Sequence, residues 1–470
     1  MKAKRPNFPS FDDKALKEKD KQHVLHPWQD IATAREADSF VVAEAEDVFV
    51  YDATGERFID GIGGMWCVNI GYGRDEMAEA IAEQARRMPY YSPFGQLTSP
   101  PAAELGARLA SYAPGDLNEV FFSTGGSTAN DSAVRFVQFY FNSTGRPNKK
   151  HIISRLDSYH GSTYLAASLT GKMGDRGNFD YITDTIHHIP SPNPYRRPEG
   201  MSLEEFCAAK VADLENEILR LGPDNVGCFI AEPILASGGV IVPPPGYHAA
   251  TLEVCRKYDV IYISDEVVTG FGRLGQIFAS EAEYGIVPDI LTCAKGLTSG
   301  YVPLGATLIA DHLLEPLMAG RVKDAVFTNG FTYSGHPVSC AAALKNLEII
   351  EREGILEHVR RVGPYFQEKL RALSDLAIVG DVRGSHLMAG IECVADKATK
   401  VPLAPEIGVG KRIDAHCQRR GLILRPIGHL CVLSPPLTIR EPEIDRIAAI
   451  IGESIEATMA ELRAEGLWHG

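Results

Sequence analysis

The chain has no C-x-x-C pair, no glycine-rich loop closing on Gly-Lys-Ser or Gly-Lys-Thr, and no run approaching about 18 uninterrupted apolar residues. Each absence excludes a class. The cysteines are odd in number, 9 in all, and several sit inside apolar runs such as LTCAKG. Buried free thiols in a reducing compartment explain them better than a disulfide framework or a zinc site. The missing Lys removes the P-loop reading, and the short apolar runs argue against a membrane-spanning helix. The opening segment, MKAKRPNFPSFDDKALKEKDKQ, is charged throughout and lacks the apolar stretch of a secretory leader, so a cytoplasmic location is expected. Positive charge is also scarce. Lys and Arg number 47 against 61 Asp and Glu, a net charge of −14 that would repel a phosphate backbone and argues against nucleic acid as a partner. The 14 histidines show no ligand spacing; His187 and His188 read as a solvated pair, and no metal site is expected.

What remains is ample for a globular enzyme. At 470 residues, 45% hydrophobic and 23% charged, the chain is roughly three times a ~150-residue domain and can bury a large core. No low-complexity linker divides it, which favours one large domain and a smaller one over three beads. The first twenty or so residues read as a charged, loosely attached arm. From Phe40 apolar and polar residues alternate around Ala53-Thr54-Gly55, predicting a small antiparallel hairpin. From about Ala102 to Val326 short apolar strands (NEVFFS, KKHIISRL, VGCFIAEPI, DVIYISDEV, DILTCAKG) alternate with amphipathic helices, the pattern of a mostly parallel sheet covered by helices. From His336 a long helical stretch gives way to shorter strand-like pieces and a last helix, which is α+β patterning. The expected division is an arm and hairpin over 1–70 packing with the small domain, a large α/β domain over 71–330, and a small α+β domain over 331–470.

Parallel sheets bind ligands beyond the carboxyl ends of their strands, and three polar features fall at such ends. In FFSTGGSTAND a strand runs through Gly125-Gly126-Ser127-Thr128 into a helix, leaving free N–H groups that suit a phosphate; Ser or Thr after Gly is also an ordinary helix cap. Asp265 ends DVIYISD and Lys295 follows ILTCA. They lie 30 residues apart, about one β-α-β unit, so they stand at neighbouring strand ends. An ordinary ion pair is one reading. The other is an enzyme with Lys as a Schiff-base nucleophile and Asp holding a protonated pyridine nitrogen. Burying an amine is costly unless it is paired or covalently occupied, which favours the second. Tyr159, after HIISRL, would stack on a flat ring. Together these are the contacts that pyridoxal phosphate needs. A competing motif, Gly270-Phe271-Gly272-Arg273-Leu274-Gly275, matches the dinucleotide fingerprint and supports a nicotinamide-dependent oxidoreductase as the alternative. Its expected acid, Asp289, precedes the next strand instead of ending it, at the wrong face of the sheet.

The stretches FFSTGGSTAND, SYHGST, FIAEPI, ISDEVVTGFGR, AKGLTSGYVPLGA, GFTYSGHPVSCAAAL and LILRPIG resemble, in family order, the class III pyridoxal-phosphate aminotransferases, in particular the omega-amino acid or amine:pyruvate branch. The resemblance implies fold type I with a seven-stranded, mostly parallel sheet, a homodimer with active sites at its interface, and a ping-pong amino transfer between small-molecule amine and keto-acid substrates. Lys295 would bind the cofactor covalently and move the proton; Asp265 would hold the pyridinium N–H. Tyr159 and Val267 would cover the two ring faces. Gly126 and Ser127 would hold the phosphate, with Thr332 from the partner. Trp28, Trp66 and Phe94 match aromatic positions of the amine pocket, although three such residues also suit a core. Arg425 matches a mobile arginine that pairs with substrate carboxylates. Two departures stand out: Gly125 and Thr128 replace the usual Ser and Glu, and Leu235-Ala236-Ser237 replaces the Gln-Gly-Glu of ornithine and 4-aminobutyrate enzymes. The second favours pyruvate over 2-oxoglutarate as acceptor. A racemase or mutase of the same fold would share every cofactor contact.

Overall fold

The computed structural model describes residues 8–36, 38–319 and 325–470. The first seven residues of the charged arm therefore lie outside the described residues. The rest of the arm is better ordered than the sequence suggests: a helix, Asp13–His23, is capped by the Asp12 carboxylate, which accepts from the Ala15 N–H. The segment after Phe40 is a meander of three strands, where the alternation predicts two. They are β1 (Val42–Glu46), β2 (Phe49–Asp52) and β3 (Arg57–Asp60). The extra strand comes from a second reversal at Asp47, whose φ of 50° makes the turn.

The central sheet has seven strands: β4 (Leu117–Ser123), β5 (His151–Arg155), β6 (Ile186–Ile189), β7 (Val226–Ala231), β8 (Ile261–Asp265), β9 (Ile290–Cys293) and β10 (Gly305–Ala310). Their spatial order is β4-β10-β9-β8-β7-β5-β6, with β10 alone running antiparallel to both its neighbours. Strands β7, β8, β9 and β10 are buried along their whole length, as expected of strands covered on both faces. Helix Gly126–Ser143 buries Ala129, Ala133, Val134, Val137 and Phe141 and lies against β9 and β10. β6 carries His187 and His188, which are half-buried where the sequence predicts a solvated pair. His187 is hydrogen-bonded to His151 (2.9 Å), and burial pushes the His188 imidazole down to about 4.

The long helical stretch after His336 is two helices, Pro337–Arg352 and Ile355–Arg371, because Gly354 takes a left-handed φ of 61° between them. Beyond them come β11 (Val379–Ser385), β12 (Met388–Asp396), β13 (Val401–Pro402), β14 (Leu422–Ile423), β15 (Arg425–Ile427) and β16 (Leu430–Leu433), before the last helix, Glu441–Ala464. β11, β12, β16 and β15 form one antiparallel sheet, with β13 on β12. β14 instead pairs in parallel with β3, joining the early meander to the C-terminal region. No helix among the described residues is long and apolar enough to cross a membrane.

Candidate active site

Because β5, β6, β7, β8 and β9 are parallel, and β4 runs the same way through the antiparallel β10, six carboxyl ends face one edge of the sheet. A cavity of about 520 Å³ lies there. It is lined by Gly126, Ser127, Tyr159, Asp265, Val267 and Lys295, together with Trp28, Trp66 and Arg425. Nine of the eleven residues singled out from the sequence thus meet in one space. Phe94 and Thr332 do not line it in this chain. Phe94 is 54% exposed, Thr332 is exposed, and the Thr332 carbonyl accepts from the Tyr90 hydroxyl (2.8 Å) on the same outer surface.

The floor is polar, and its carboxylates are well supplied with donors. Asp265 is 3% exposed. Its Oδ2 accepts from Asn130 Nδ2 (2.7 Å) and lies 2.7 Å from His160 Nδ1, while Oδ1 accepts from the Val267 N–H (3.1 Å). Asn130 is fixed in turn, since Thr292 on β9 donates to its Oδ1 (2.7 Å) and its Nδ2 also reaches the His160 carbonyl (2.7 Å). A buried carboxylate so supplied is held in one orientation. Glu232, just beyond β7, is a second buried carboxyl. Its oxygens accept from the Tyr159 N–H (2.9 Å) and the Ala236 N–H (3.2 Å), and burial raises it to about 7. Sequence reading missed Asn130, His160 and Glu232. The available signal was a polar residue on the sheet-facing side of a helix, and polar residues immediately after strands.

Lys295 opens a short 3-10 turn, Lys295–Leu297, with a φ of 46°, a left-handed conformation that costs an L-residue on the order of 1 kcal/mol or more. The turn is clamped: Asn346 Nδ2 donates to the Gly296 and Leu297 carbonyls (2.8 and 3.0 Å). Residue 296 must be Gly, because a Cβ there would stand 2.3 Å from Asn69 Nδ2. The amine itself makes no hydrogen bond or ion pair among the described residues, and burial lowers its pKa against the opposing pull of Asp265. An amine so placed is available as a base and a nucleophile.

At the end of β4 the helix start presents its unpaired N–H groups. The space above it is kept open by glycine. A Cβ on Gly126 would stand 2.8 Å from Val267, and one on Gly161 2.3 Å from the Ser127 hydroxyl. The Ser127 hydroxyl accepts from the Ser162 N–H (3.0 Å), tying the Tyr159 loop to this turn. Thr128, one of the two departures from the family pattern, supports the turn through its hydroxyl, which accepts from the Thr124 N–H (3.2 Å) and donates to the Gly125 carbonyl (2.9 Å). GFGRLG is no dinucleotide turn. Arg273 within it is fully buried, donates to the Leu387 and Pro435 carbonyls and to Asn69, and no helix begins at the motif.

Residues 32–455 match the family model for aminotransferase class-III. The chain is a class III aminotransferase. The aminotransferase is 40% identical over 445 residues, covering 94% of this chain and 96% of the relative, to the putrescine–pyruvate aminotransferase of Pseudomonas aeruginosa. It is also 40% identical over 430 residues (90% and 86%) to a probable mitochondrial gamma-aminobutyrate transaminase 2 of Oryza sativa. Among solved structures, a thermostable (S)-enantioselective omega-transaminase from Thermomicrobium roseum superposes with a TM-score of 0.92 at 41% identity, covering 97% and 100% of the two chains. Enzymes of this family work with pyridoxal 5′-phosphate. The site of the aminotransferase fits that group. It offers a glycine-lined cradle at a helix start, an unpartnered buried amine, and a carboxylate held by three donors one strand away.

Proposed function

We propose that this aminotransferase moves an amino group from an omega-amino acid or primary amine to pyruvate by a ping-pong mechanism. Pyridoxal phosphate, when bound, supplies an electron sink for the carbon that loses its proton. Gly126, Ser127 and the adjoining N–H groups bind the phosphate, and Thr332 of a second copy completes that cradle. Tyr159 and Val267 hold the ring between them. Asp265, with Asn130 and His160 behind it, keeps a proton on the ring nitrogen. Lys295 holds the cofactor between turnovers and moves the proton at the substrate carbon, a task for which its lowered pKa suits it.

The observation that carries the choice of acceptor is the set of cations facing the cavity. Lys295 is committed to the cofactor and Lys172 is paired with Asp175 at 2.9 Å, which leaves Arg425, among the described residues lining the cavity, to take a single carboxylate. Ser237, where ornithine-type enzymes place a Glu, lines the same cavity and offers Arg425 no neutralising charge. A monocarboxylate such as pyruvate is matched; a dicarboxylate such as 2-oxoglutarate would bring one charge too many. Trp28, Trp66 and Met65 supply apolar walls for the donor. A homodimer is supported by the exposed apolar surface around Tyr90, Tyr91, Phe94, Leu97 and Tyr333, which contains Thr332 and lies apart from the cavity. We place the enzyme in the cytoplasm on the free, mostly buried cysteines.

The test is a donor panel (4-aminobutyrate, β-alanine, putrescine, 1-phenylethylamine) run with each acceptor. Pyruvate is expected to exceed 2-oxoglutarate in kcat/KM by about tenfold or more with every active donor, equivalent to roughly 1.4 kcal/mol. A preference for 2-oxoglutarate overturns the assignment.

A further inference from the structure

Met65 reaches the cavity from the turn after β3, next to Trp66. The turn is fixed by the Asp60 carboxylate, which accepts from the Ile62 N–H (3.0 Å), the Gly64 N–H (2.7 Å) and the Tyr72 hydroxyl (2.6 Å). Met65 is therefore carried on an anchored backbone. Its Sδ lies 3.1 Å from Nη1 of Arg425 and accepts a hydrogen bond from it. Arg425 is half-buried and makes no ion pair among the described residues, and burial pulls its pKa below the usual guanidinium value. A guanidinium in such surroundings wants an acceptor, and a thioether is a weak one. Sulfur holds this cation loosely.

We infer that Met65 determines substrate selectivity by serving as the resting acceptor of Arg425. The inference rests on the amine-to-keto-acid reading of the site. When a substrate carries a carboxylate, Arg425 exchanges the thioether for a charge-assisted pair, and the strength of the sulfur contact sets the cost of that exchange. When the substrate is a plain amine, the guanidinium keeps its contact with Met65 and is not left partnerless beside an apolar ligand. The soft, polarisable sulfur serves the apolar wall as well. Leu at this position would match the bulk and offer no acceptor. Gln would offer a stronger one.

A matched pair of donors isolates the effect, because 4-aminobutyrate and butylamine differ by the carboxylate alone. With the holoenzyme and pyruvate, Met65→Leu is expected to raise the ratio of kcat/KM for 4-aminobutyrate over butylamine by about threefold to tenfold, and Met65→Gln to lower it by a similar factor. Placed on Arg425→Ala, neither substitution should move the ratio. Butyrate, which has no amino group to transfer, gives a second readout: its affinity, by titration calorimetry, should rise in Met65→Leu and fall in Met65→Gln. A ratio unchanged by Met65→Leu, or a shift that persists without Arg425, overturns the inference. Should neither donor react while butyrate binding moves as stated, amino transfer is the reading that fails and the role of Met65 stands. If both donors react and butyrate affinity is the same in all variants, the role of Met65 fails alone.

Discussion

The floor and the wall of the cavity are built differently. The floor comes from neighbouring strand ends of one sheet, and its buried carboxylates are tied down by named donors: Asp265 by Asn130, His160 and the Val267 N–H, Glu232 by the Tyr159 and Ala236 N–H groups. The wall comes from segments far apart in the chain. Trp28 arrives from the N-terminal region with 62% of its surface exposed, Met65 and Trp66 from a turn, and Arg425 from β15. Its chief polar contact is one thioether. A floor whose carboxylates each take several hydrogen bonds holds one geometry and suits a cofactor common to a family; a wall with few bonds is cheap to rearrange and suits the choice of substrate.

Four variants sharpen or break that contrast, three through the class of substrate they affect and one through stability. Lys295→Ala should cut turnover by about 10⁴-fold with every donor, and borohydride should no longer fix cofactor on the peptide containing residue 295, as read by mass spectrometry. A label on another lysine would dismantle the floor as described. Asp265→Asn should keep the cofactor, visible by absorbance, and lose roughly 10²–10³-fold in kcat, again without regard to donor. If that loss fell mainly on one donor class, floor and wall would not be separable. Arg425→Ala should behave in the opposite way, costing about 50-fold in kcat/KM for 4-aminobutyrate and sparing butylamine to within about threefold; equal losses would remove its carboxylate role.

The last variant tests the floor through stability. The Glu232 carboxyl titrates at about 7 in the fold and at about 4.5 when unfolded. Its contribution is whole below the unfolded value and is lost as pH rises through the folded one. Cofactor-free wild type should lose about 2 kcal/mol between pH 5 and pH 7 from this group, and Glu232→Gln should not, as measured by urea denaturation at the two pH values. Parallel stability profiles would mean that Glu232 is not held as described.

The floor was legible in the sequence for a physical reason. Each of its elements is a local pattern, an apolar strand followed by a polar residue, and parallel strands bring those residues to one edge whatever the helices between them contain. Asp265, Lys295, Tyr159 and the Gly125–Thr128 turn could be placed on that ground. Asn130 and His160 could not, because their value lies in contacts to a residue more than a hundred positions away. The wall was harder still. Nothing local pairs Met65 with Arg425, 360 residues on, or shows that Trp66 will take a φ of 65°. Phe94 and Thr332 were named by resemblance and share an outer surface instead of the cavity of one chain. The misread secondary structure has similar causes. Single residues with left-handed backbone, Asp47 and Gly354, turn a hairpin into a meander and one helix into two.

The parallel pairing of β3 with β14 has a consequence for biogenesis. Ile59 and Leu422 are partners in that register although about three-quarters of the polypeptide lies between them. A ribosome makes the first strands long before the segment that completes their sheet, at a pace of about 5–20 residues per second. For some tens of seconds the nascent meander must wait with an unfilled edge, open to wrong partners. Closing so long a loop is entropically slow, and maturation of the C-terminal third is where refolding from denaturant should stall.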